Sequence, residues 1–171
     1  MSERYSKGLT GLILIAILLF VGIVPAQAQL QYMDGKSATL QENIGKGKWT
    51  LVMFWASDCH ICNREASEYV DFHFLHYDDN ATVLGISMDG QSKKADAEGF
   101  IRKHKVNFPN LIGEPDDISR LFYELTGSRF VGTPSFVLFN TKGEIKAMQV
   151  GPLPTDLVEK FIKEQTLATA K

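Results

Sequence analysis

The chain is poor in cysteine, and its charges nearly cancel. It has two cysteines among 171 residues, and 18 basic residues stand against 20 acidic ones, which gives a formal net charge of −2. Because Lys and Arg are not in excess, the sequence has neither the basic stripe of a nucleic-acid-binding protein nor a polybasic segment for anionic lipid. Without a second CxxC, a structural zinc site lacks two of its four ligands. The sequence also lacks internal repeats, low-complexity tracts and long linkers.

The N-terminal residues have the pattern of a secretory signal peptide. Two basic residues precede a nearly unbroken apolar run over residues 9–24, and an A-x-A pattern ends at Ala28. That run is shorter than the roughly 20 residues that cross a bilayer comfortably. We therefore predict a signal peptide over residues 1–28, cleaved after Ala28, with an uncleaved N-terminal anchor as the alternative. The remaining residues 29–171 carry a net charge of about −3 and suit one compact domain.

The two cysteines lie in the segment Cys59-His60-Ile61-Cys62, shortly after the apolar run Thr50–Trp55. A buried strand over residues 50–55, followed by a helix from Cys59, places both sulfurs at a strand-to-helix turn. Unpaired backbone N–H groups at a helix N-terminus stabilise an anion. Such a position lowers a cysteine pKa from about 8.5 to roughly 3.5–7.5. The spacing therefore predicts reversible dithiol–disulfide exchange.

Other uses of these residues fit the sequence less well. A disulfide that closes so short a loop constrains the unfolded chain little, which disfavours a purely structural cross-link. Covalent haem attachment requires His directly after the second cysteine, and that residue is Asn63. His73 and His76 are three residues apart on a predicted helix, but no third ligand lies at convincing spacing for a metal site. We predict no metal and no cofactor.

Apolar periodicity and turn residues predict alternating strands and helices that finish in a hairpin and a helix, in the order β-α-β-α-β-α-β-β-α. This order indicates a three-layer α/β sandwich with a mixed sheet. The N-terminal stretch Leu30–Asn43 is predicted as an irregular extension with a short strand near Ala38–Leu40. The predicted strands are 50–55, 81–88, 108–112, 135–140 and 144–150, and the predicted helices are 59–77, 92–105, 116–125 and 156–166.

A wider pattern joins Phe54–Cys62 to Glu65 and to Val131–Phe136, which holds a Gly-Thr-Pro before a strand. The combination resembles the thioredoxin superfamily, and within it the exported TlpA/ResA-type thiol–disulfide oxidoreductases, over residues 36–166. The resemblance implies a thioredoxin-like fold with an extra central βα unit, within residues 83–125. It also implies that Cys59 and Cys62 form a redox-active disulfide.

Each cysteine has its own predicted role. Cys59 lies nearer the helix N-terminus and is the expected attacking thiol, while Cys62, one turn further on, resolves the mixed disulfide. Glu65 shares the helix face of Cys62, and its carboxylate could accept and return the proton of that thiol. ResA-like proteins carry a functional Glu at this position. Many thioredoxins use a buried Asp in the preceding strand instead, where this chain has Met53.

Thr133-Pro134 introduces a predicted strand, where proline is best tolerated. In the resembling family this proline is cis and lies against the CxxC pair, so that the preceding backbone can pair with a substrate strand. We therefore predict a cis bond at Pro134 and a substrate contact at Thr133. Trp55 is predicted as a core residue that also lines the floor of the site.

Two residues next to Cys59 are predicted to shift the pKa of its thiol in opposite directions. Asp58 occupies the position where most relatives have Trp, and a carboxylate beside a forming thiolate raises the pKa of that thiol. Asp58 could instead cap the helix and be held away from the sulfur. His60, when protonated, favours the thiolate. The sequence therefore leaves the reduction potential and the direction of electron flow open.

The leading functional prediction is a monomeric periplasmic enzyme that reduces disulfides of exported proteins, such as apocytochromes or metal-site assembly factors. A membrane thiol protein would supply its electrons. The alternatives are a periplasmic disulfide oxidase or isomerase, favoured by His60 and by the lack of a proline between the cysteines, and a peroxiredoxin, disfavoured by Val52 and Ala56. A further alternative from another class is a copper-delivery protein that uses both cysteines and a distant His.

Overall fold

The computed structural model describes residues 29–169, which form one seven-stranded mixed sheet with helices on both faces. The strands are β1 Leu30–Tyr32, β2 Ser37–Ala38, β3 Trp49–Trp55, β4 Ala81–Ser87, β5 Asn110–Ile112, β6 Ser135–Phe139 and β7 Ile145–Val150, and the helices are α1 His60–His76, α2 Lys94–His104, α3 Pro115–Thr126 and α4 Thr155–Thr169. The strands lie in the order β2-β1-β5-β4-β3-β6-β7. This arrangement confirms the predicted thioredoxin-like α/β sandwich.

Strand β3 lies at the centre of the sheet, and all seven of its residues are buried. It pairs in parallel with β4 and antiparallel with β6. Because side chains alternate along a strand, Leu51, Met53 and Trp55 face a core formed with α1, α2 and α4, whereas Val52 and Phe54 face a core formed with α3. The continuous apolar run of β3 follows from burial on both faces.

The segment between α1 and β6 holds β4, α2, β5 and α3, in the region where the extra central unit is predicted. Strand β5 extends the parallel part of the sheet, since it pairs with β4 on the side away from β3. Helix α3 begins with Pro115 in its first turn and ends at Gly127, which has φ of 69°. Proline at a helix start and glycine just past its end are the residues that these positions favour.

The prediction of an irregular N-terminal extension is wrong, although the short strand predicted near Ala38 is present as β2. Leu30–Tyr32 and Ser37–Ala38 form an antiparallel hairpin, and β1 also pairs antiparallel with β5. The hairpin closes at Gly35, whose φ is 89°. Leu30, Ala38 and Leu40 are buried in the core on the α3 side of the sheet, which explains why so short a segment is ordered into strands.

The predicted signal peptide, residues 1–28, lies outside the described residues, so its cleavage stays a prediction. Over residues 29–169, none of the helices combines the length and the apolar character that a bilayer crossing requires.

Candidate active site

Three chain segments meet at the edge of the sheet where β3 ends. Strand β3 runs on into the CxxC segment, and its last residue, Trp55, pairs with Ser87 at the end of the parallel strand β4. The antiparallel strand β6 begins at this same edge, where its first residue, Ser135, pairs with Phe54. The register therefore brings the turn before Cys59, the loop after β4 and the Thr133-Pro134 segment to one end of the fold.

Cys59 is the N-cap residue of α1, and its own sulfur acts as the cap. Its backbone is extended, with φ −70° and ψ 113°, and Sγ accepts a hydrogen bond from the backbone N–H of Cys62 over 3.1 Å. Cys59 and Cys62 are joined as a disulfide. Cys59 is partly exposed, whereas Cys62 is fully buried, so a partner sulfur can approach only Cys59.

Glu65 is a buried carboxylate one turn after Cys62 on the same helix. Its Oε1 accepts a hydrogen bond from Nη2 of Arg64 over 2.8 Å. Its Oε2 lies 3.4 Å from the hydroxyl of Tyr69, which donates over a shorter 3.0 Å to the carbonyl of Leu153. Burial, and next the Glu65 carboxylate, raise the pKa of Tyr69 well above its usual range. Tyr69 therefore stays a neutral donor beside Glu65 at all physiological pH.

Pro134 is buried and follows a cis peptide bond with Thr133. Its carbonyl accepts a hydrogen bond from the N–H of Gly151 over 2.9 Å, which fixes the start of β6 against the end of β7. Thr133 is half-buried, and Val131, two residues earlier, is 74% exposed. The segment thus offers partly accessible backbone just before the sheet begins.

Trp55 is only 1% exposed and belongs to the core. Its indole stacks on Phe100 of α2 with ring centroids 4.4 Å apart, and its Nε1 donates to Oδ1 of Asn110 over 3.0 Å. The Asn110 amide in turn donates to the carbonyl of Phe108. The side chain therefore supports the floor of the site from within rather than presenting a surface to substrate.

Asp58 and His60, the predicted tuning residues, are both exposed. Asp58 does not cap α1, because Cys59 occupies that position. The carboxylate of Asp58 instead lies 3.6 Å from Nζ of Lys93, in the short turn between β4 and α2. Both residues are next to Cys59 in the chain, and both side chains point into solvent, which screens electrostatic interactions.

The sequence prediction missed the residues that hold the CxxC segment from outside it. Asp89 is a buried carboxylate that accepts from both the backbone N–H and the hydroxyl of Ser57. Asn63 donates from its amide to the carbonyls of Ser57 and Cys59, and its Oδ1 accepts from Lys103. One signal was available, since Ser57 and Asp89 each stand two residues past the end of neighbouring strands.

The histidine pair considered for a metal is used elsewhere. His73 is buried, and its Nδ1 accepts from the N–H of Val83 over 3.2 Å, while burial lowers the pKa of His73. His76 pairs with Glu159 over 3.0 Å. Within residues 29–169, no three His, Cys, Asp or Glu side chains are grouped so as to hold a metal ion.

Comparisons with known proteins agree with this geometry. The AhpC/TSA family model matches residues 23–148, well over half of the chain. The chain belongs to the AhpC/TSA family. Membership confirms the thioredoxin-superfamily resemblance and, with the relatives below, makes the chain a thiol–disulfide oxidoreductase.

The similar proteins are named for this chemistry. Sporulation thiol-disulfide oxidoreductase A of Bacillus subtilis is 23% identical over 142 residues, which cover 82% of this chain and 81% of that protein. Thiol-disulfide oxidoreductase ResA of Oceanobacillus iheyensis is 22% identical over 74% of this chain and 62% of its own length.

Solved structures show the same fold. The thioredoxin domain of a thiol-disulfide oxidoreductase from Bacteroides vulgatus is 26% identical, with a TM-score of 0.62 over 80% of this chain and 95% of that domain. StoA from Bacillus subtilis is 25% identical, with a TM-score of 0.59 over 81% of this chain and 98% of StoA.

Gly85 of β4 lies beneath the contact between Trp55 and Asn110. A Cβ at this position would lie 1.9 Å from Oδ1 of Asn110 and 2.9 Å from Nε1 of Trp55. Because both partners are buried and hydrogen-bonded, Gly85→Ala should lower the free energy of unfolding by about 1–3 kcal/mol, as overpacking usually does. Urea denaturation measures this change.

Gly99→Ala provides the matched control. Gly99 lies inside α2, and the nearest atom to a Cβ there, Nη2 of Arg102, is 4.0 Å away. Alanine should therefore raise the free energy of unfolding by about 0.5–1 kcal/mol, the usual gain over glycine in a helix. A Gly85→Ala protein as stable as the parent would contradict the packing described for Trp55.

Proposed function

We propose that this oxidoreductase reduces disulfides of exported proteins in the periplasm and is recharged by a membrane thiol protein. The observation that carries the proposal is the contrast between the two cysteines. Cys59 is accessible and caps α1, with the Cys62 N–H directed at its sulfur, whereas Cys62 is fully buried behind it. This asymmetry suits one thiol that meets the substrate and one that resolves the adduct.

The exchange then takes place in two steps. The Cys59 thiolate attacks one sulfur of a substrate disulfide, so that a mixed disulfide forms and one substrate thiolate leaves. Cys62 loses its proton and attacks Sγ of Cys59, which forms the Cys59–Cys62 disulfide and releases the second substrate thiolate. Two electrons pass to the substrate, and its thiolates take up the two protons lost by the cysteines.

Glu65 is our candidate for the group that takes the proton from Cys62. Cys62 is sealed from solvent, and burial disfavours its thiolate. Glu65 lies three residues further along α1, which places it on the same helix face, and it is itself buried. Nη2 of Arg64 donates to Oε1 of Glu65 over 2.8 Å, which leaves Oε2 as the oxygen that could accept the proton.

Glu65→Gln should slow the resolving step selectively. With an aromatic disulfide whose released thiolate is coloured, attack by Cys59 releases the first equivalent and attack by Cys62 the second. Loss of the base should slow the second release about 100-fold at pH 7, within the usual range for general-base catalysis. The difference should narrow as the pH rises, because hydroxide can then take the proton of Cys62 in place of Glu65.

Glu68→Gln serves as the control, because Glu68 lies on the same helix but is exposed. It should leave both release rates unchanged. A second release as fast in Glu65→Gln as in the parent, or equally slow in Glu68→Gln, would remove Glu65 from the mechanism.

The surroundings of Asp58 support the reducing direction. This carboxylate immediately precedes Cys59 and is not engaged as a cap, so its charge disfavours the thiolate and thereby the dithiol form. Lys93 offsets that charge only through an exposed contact of 3.6 Å. A dithiol made less stable in this way is a stronger reductant.

The reduction potential tests this direction. We expect a value near −270 mV, similar to that of thioredoxin, when the protein is equilibrated with a thiol–disulfide buffer of known potential. A value of about −120 mV, similar to that of DsbA, would overturn the reductase proposal and favour the oxidase. Asp58→Asn should shift the potential upwards.

Trapping tests the proposed substrates and location. The Cys62→Ala variant of the full chain keeps Cys59 but cannot resolve an adduct, so it should accumulate mixed disulfides with exported proteins. These are released by reductant and identified by mass spectrometry. The Cys59→Ala/Cys62→Ala double variant should capture nothing. A folded Cys62→Ala protein without adducts, or with cytosolic partners only, would contradict the proposal.

A further inference from the structure

We propose that Asp89 is a positioning residue for the redox pair, which holds the backbone just before Cys59 through Ser57. The inference rests on the proposed role of Cys59 as the reacting thiol. Asp89 lies in the connection between β4 and α2, outside the CxxC segment and far from it in sequence. Asp89 is 7% exposed, which is unusual for an acidic residue unless its oxygens are paired.

The hydrogen bonds of this carboxylate join the turn before Cys59 to the end of β4. The hydroxyl of Ser57 donates to Oδ1 over 2.7 Å, and the N–H of Ser57 lies 3.2 Å from Oδ1 and 3.0 Å from Oδ2. The hydroxyl of Ser87, the last residue of β4, donates to Oδ2 over 2.7 Å. Three donors thus converge on the two carboxylate oxygens of Asp89.

Ser57 is in turn held on its other side. Its carbonyl accepts from the side-chain amide of Asn63 over 2.9 Å, so its N–H, hydroxyl and carbonyl are all engaged. The same amide also donates to the carbonyl of Cys59 over 3.0 Å. Asp89 and Asn63 therefore fix the short segment that leads into the N-cap of α1.

The function of this arrangement follows from the cap. The sulfur of Cys59 faces the Cys62 N–H only while Cys59 keeps its extended N-cap backbone. A looser segment at Ser57 would let that backbone fluctuate, and the thiolate would spend less time at the helix N-terminus. Asp89 would then favour the thiolate through geometry, although its own negative charge acts in the opposite sense.

The geometry that Asp89 maintains lowers the pKa of the Cys59 thiol, whereas its negative charge raises that pKa, and this difference in sign makes the proposal testable. In a Cys62→Ala background, the pKa of the Cys59 thiol is obtained from the pH dependence of alkylation by iodoacetamide. Asp89→Ala, which removes the acceptors, should raise that pKa and slow alkylation at pH 6 by at least about threefold, since the thiolate fraction falls tenfold per pH unit below the pKa. Asp89→Asn keeps one oxygen for Ser57 and should restore most of the rate.

Other outcomes would overturn the proposal. If Asp89 acts through its charge, both variants should lower the thiol pKa and speed alkylation. If Asp89 only supports the fold, Asp89→Ala should lower the urea midpoint and leave the thiol pKa where it was. Asp34→Ala is the control, because this exposed carboxylate also accepts a backbone N–H, that of Lys36, in the distant β1–β2 hairpin. Asp34→Ala should change neither the thiol pKa of Cys59 nor the urea midpoint.

A serine pair keeps the test decisive if Asp89→Ala does not fold. Ser57→Ala and Ser87→Ala each remove one hydroxyl donor at 2.7 Å from the same carboxylate, but only Ser57 lies in the turn that leads into Cys59. Ser57→Ala should raise the thiol pKa of Cys59 by more than Ser87→Ala does. Equal shifts would overturn the proposal. A thiol pKa of about 8.5, the ordinary value, in the Cys62→Ala protein without further changes would instead contradict the proposed function of Cys59.

Discussion

The pairing of β3 with β4 on one side and with β6 on the other is the constraint on which the site depends. Both faces of β3 are buried, so its register is fixed by two cores at once. A slip by one residue would exchange Met53 and Phe54 between those cores. Because the register is fixed, the end of β4 and the start of β6 always flank the turn that carries Cys59.

At that turn, one hydrogen bond to Sγ of Cys59 favours the thiolate form of this residue. Sγ of Cys59 accepts a hydrogen bond from the N–H of Cys62, which is one of the donors at the start of α1 that have no partner within the helix. The sulfur therefore takes the place that a Ser or Asp side chain usually fills. A thiolate there gains from the helix N-terminus and loses from the carboxylate of Asp58. The exposed contact with Lys93 offsets this loss only in part.

Local patterns were sufficient to predict β3 and α1, because each depends on residues close in sequence, but they pointed to Asp58 as the possible cap of α1, whereas the cap is Cys59. They also located Glu65 one turn after Cys62. The hairpin of β1 and β2 was missed, since its strands are two or three residues long and become ordered only against β5 and the buried Leu40. The contacts of Asp89 depend on strand register, which no local pattern contains. For the same reason, the sequence could not show that the indole N–H of Trp55 donates a hydrogen bond to Asn110.

The contacts that hold the CxxC segment have one property in common: they do not depend on the bond between the sulfurs. Ser57 is bound through its N–H, hydroxyl and carbonyl, and Cys59 through its own carbonyl. None of the atoms in these contacts belongs to the bond that breaks when the disulfide opens. A backbone that keeps its contacts in both redox states limits the reorganisation that accompanies each exchange. Under the mechanism we propose, the chemical change is then confined to the two sulfurs and to the proton that Cys62 passes to Glu65.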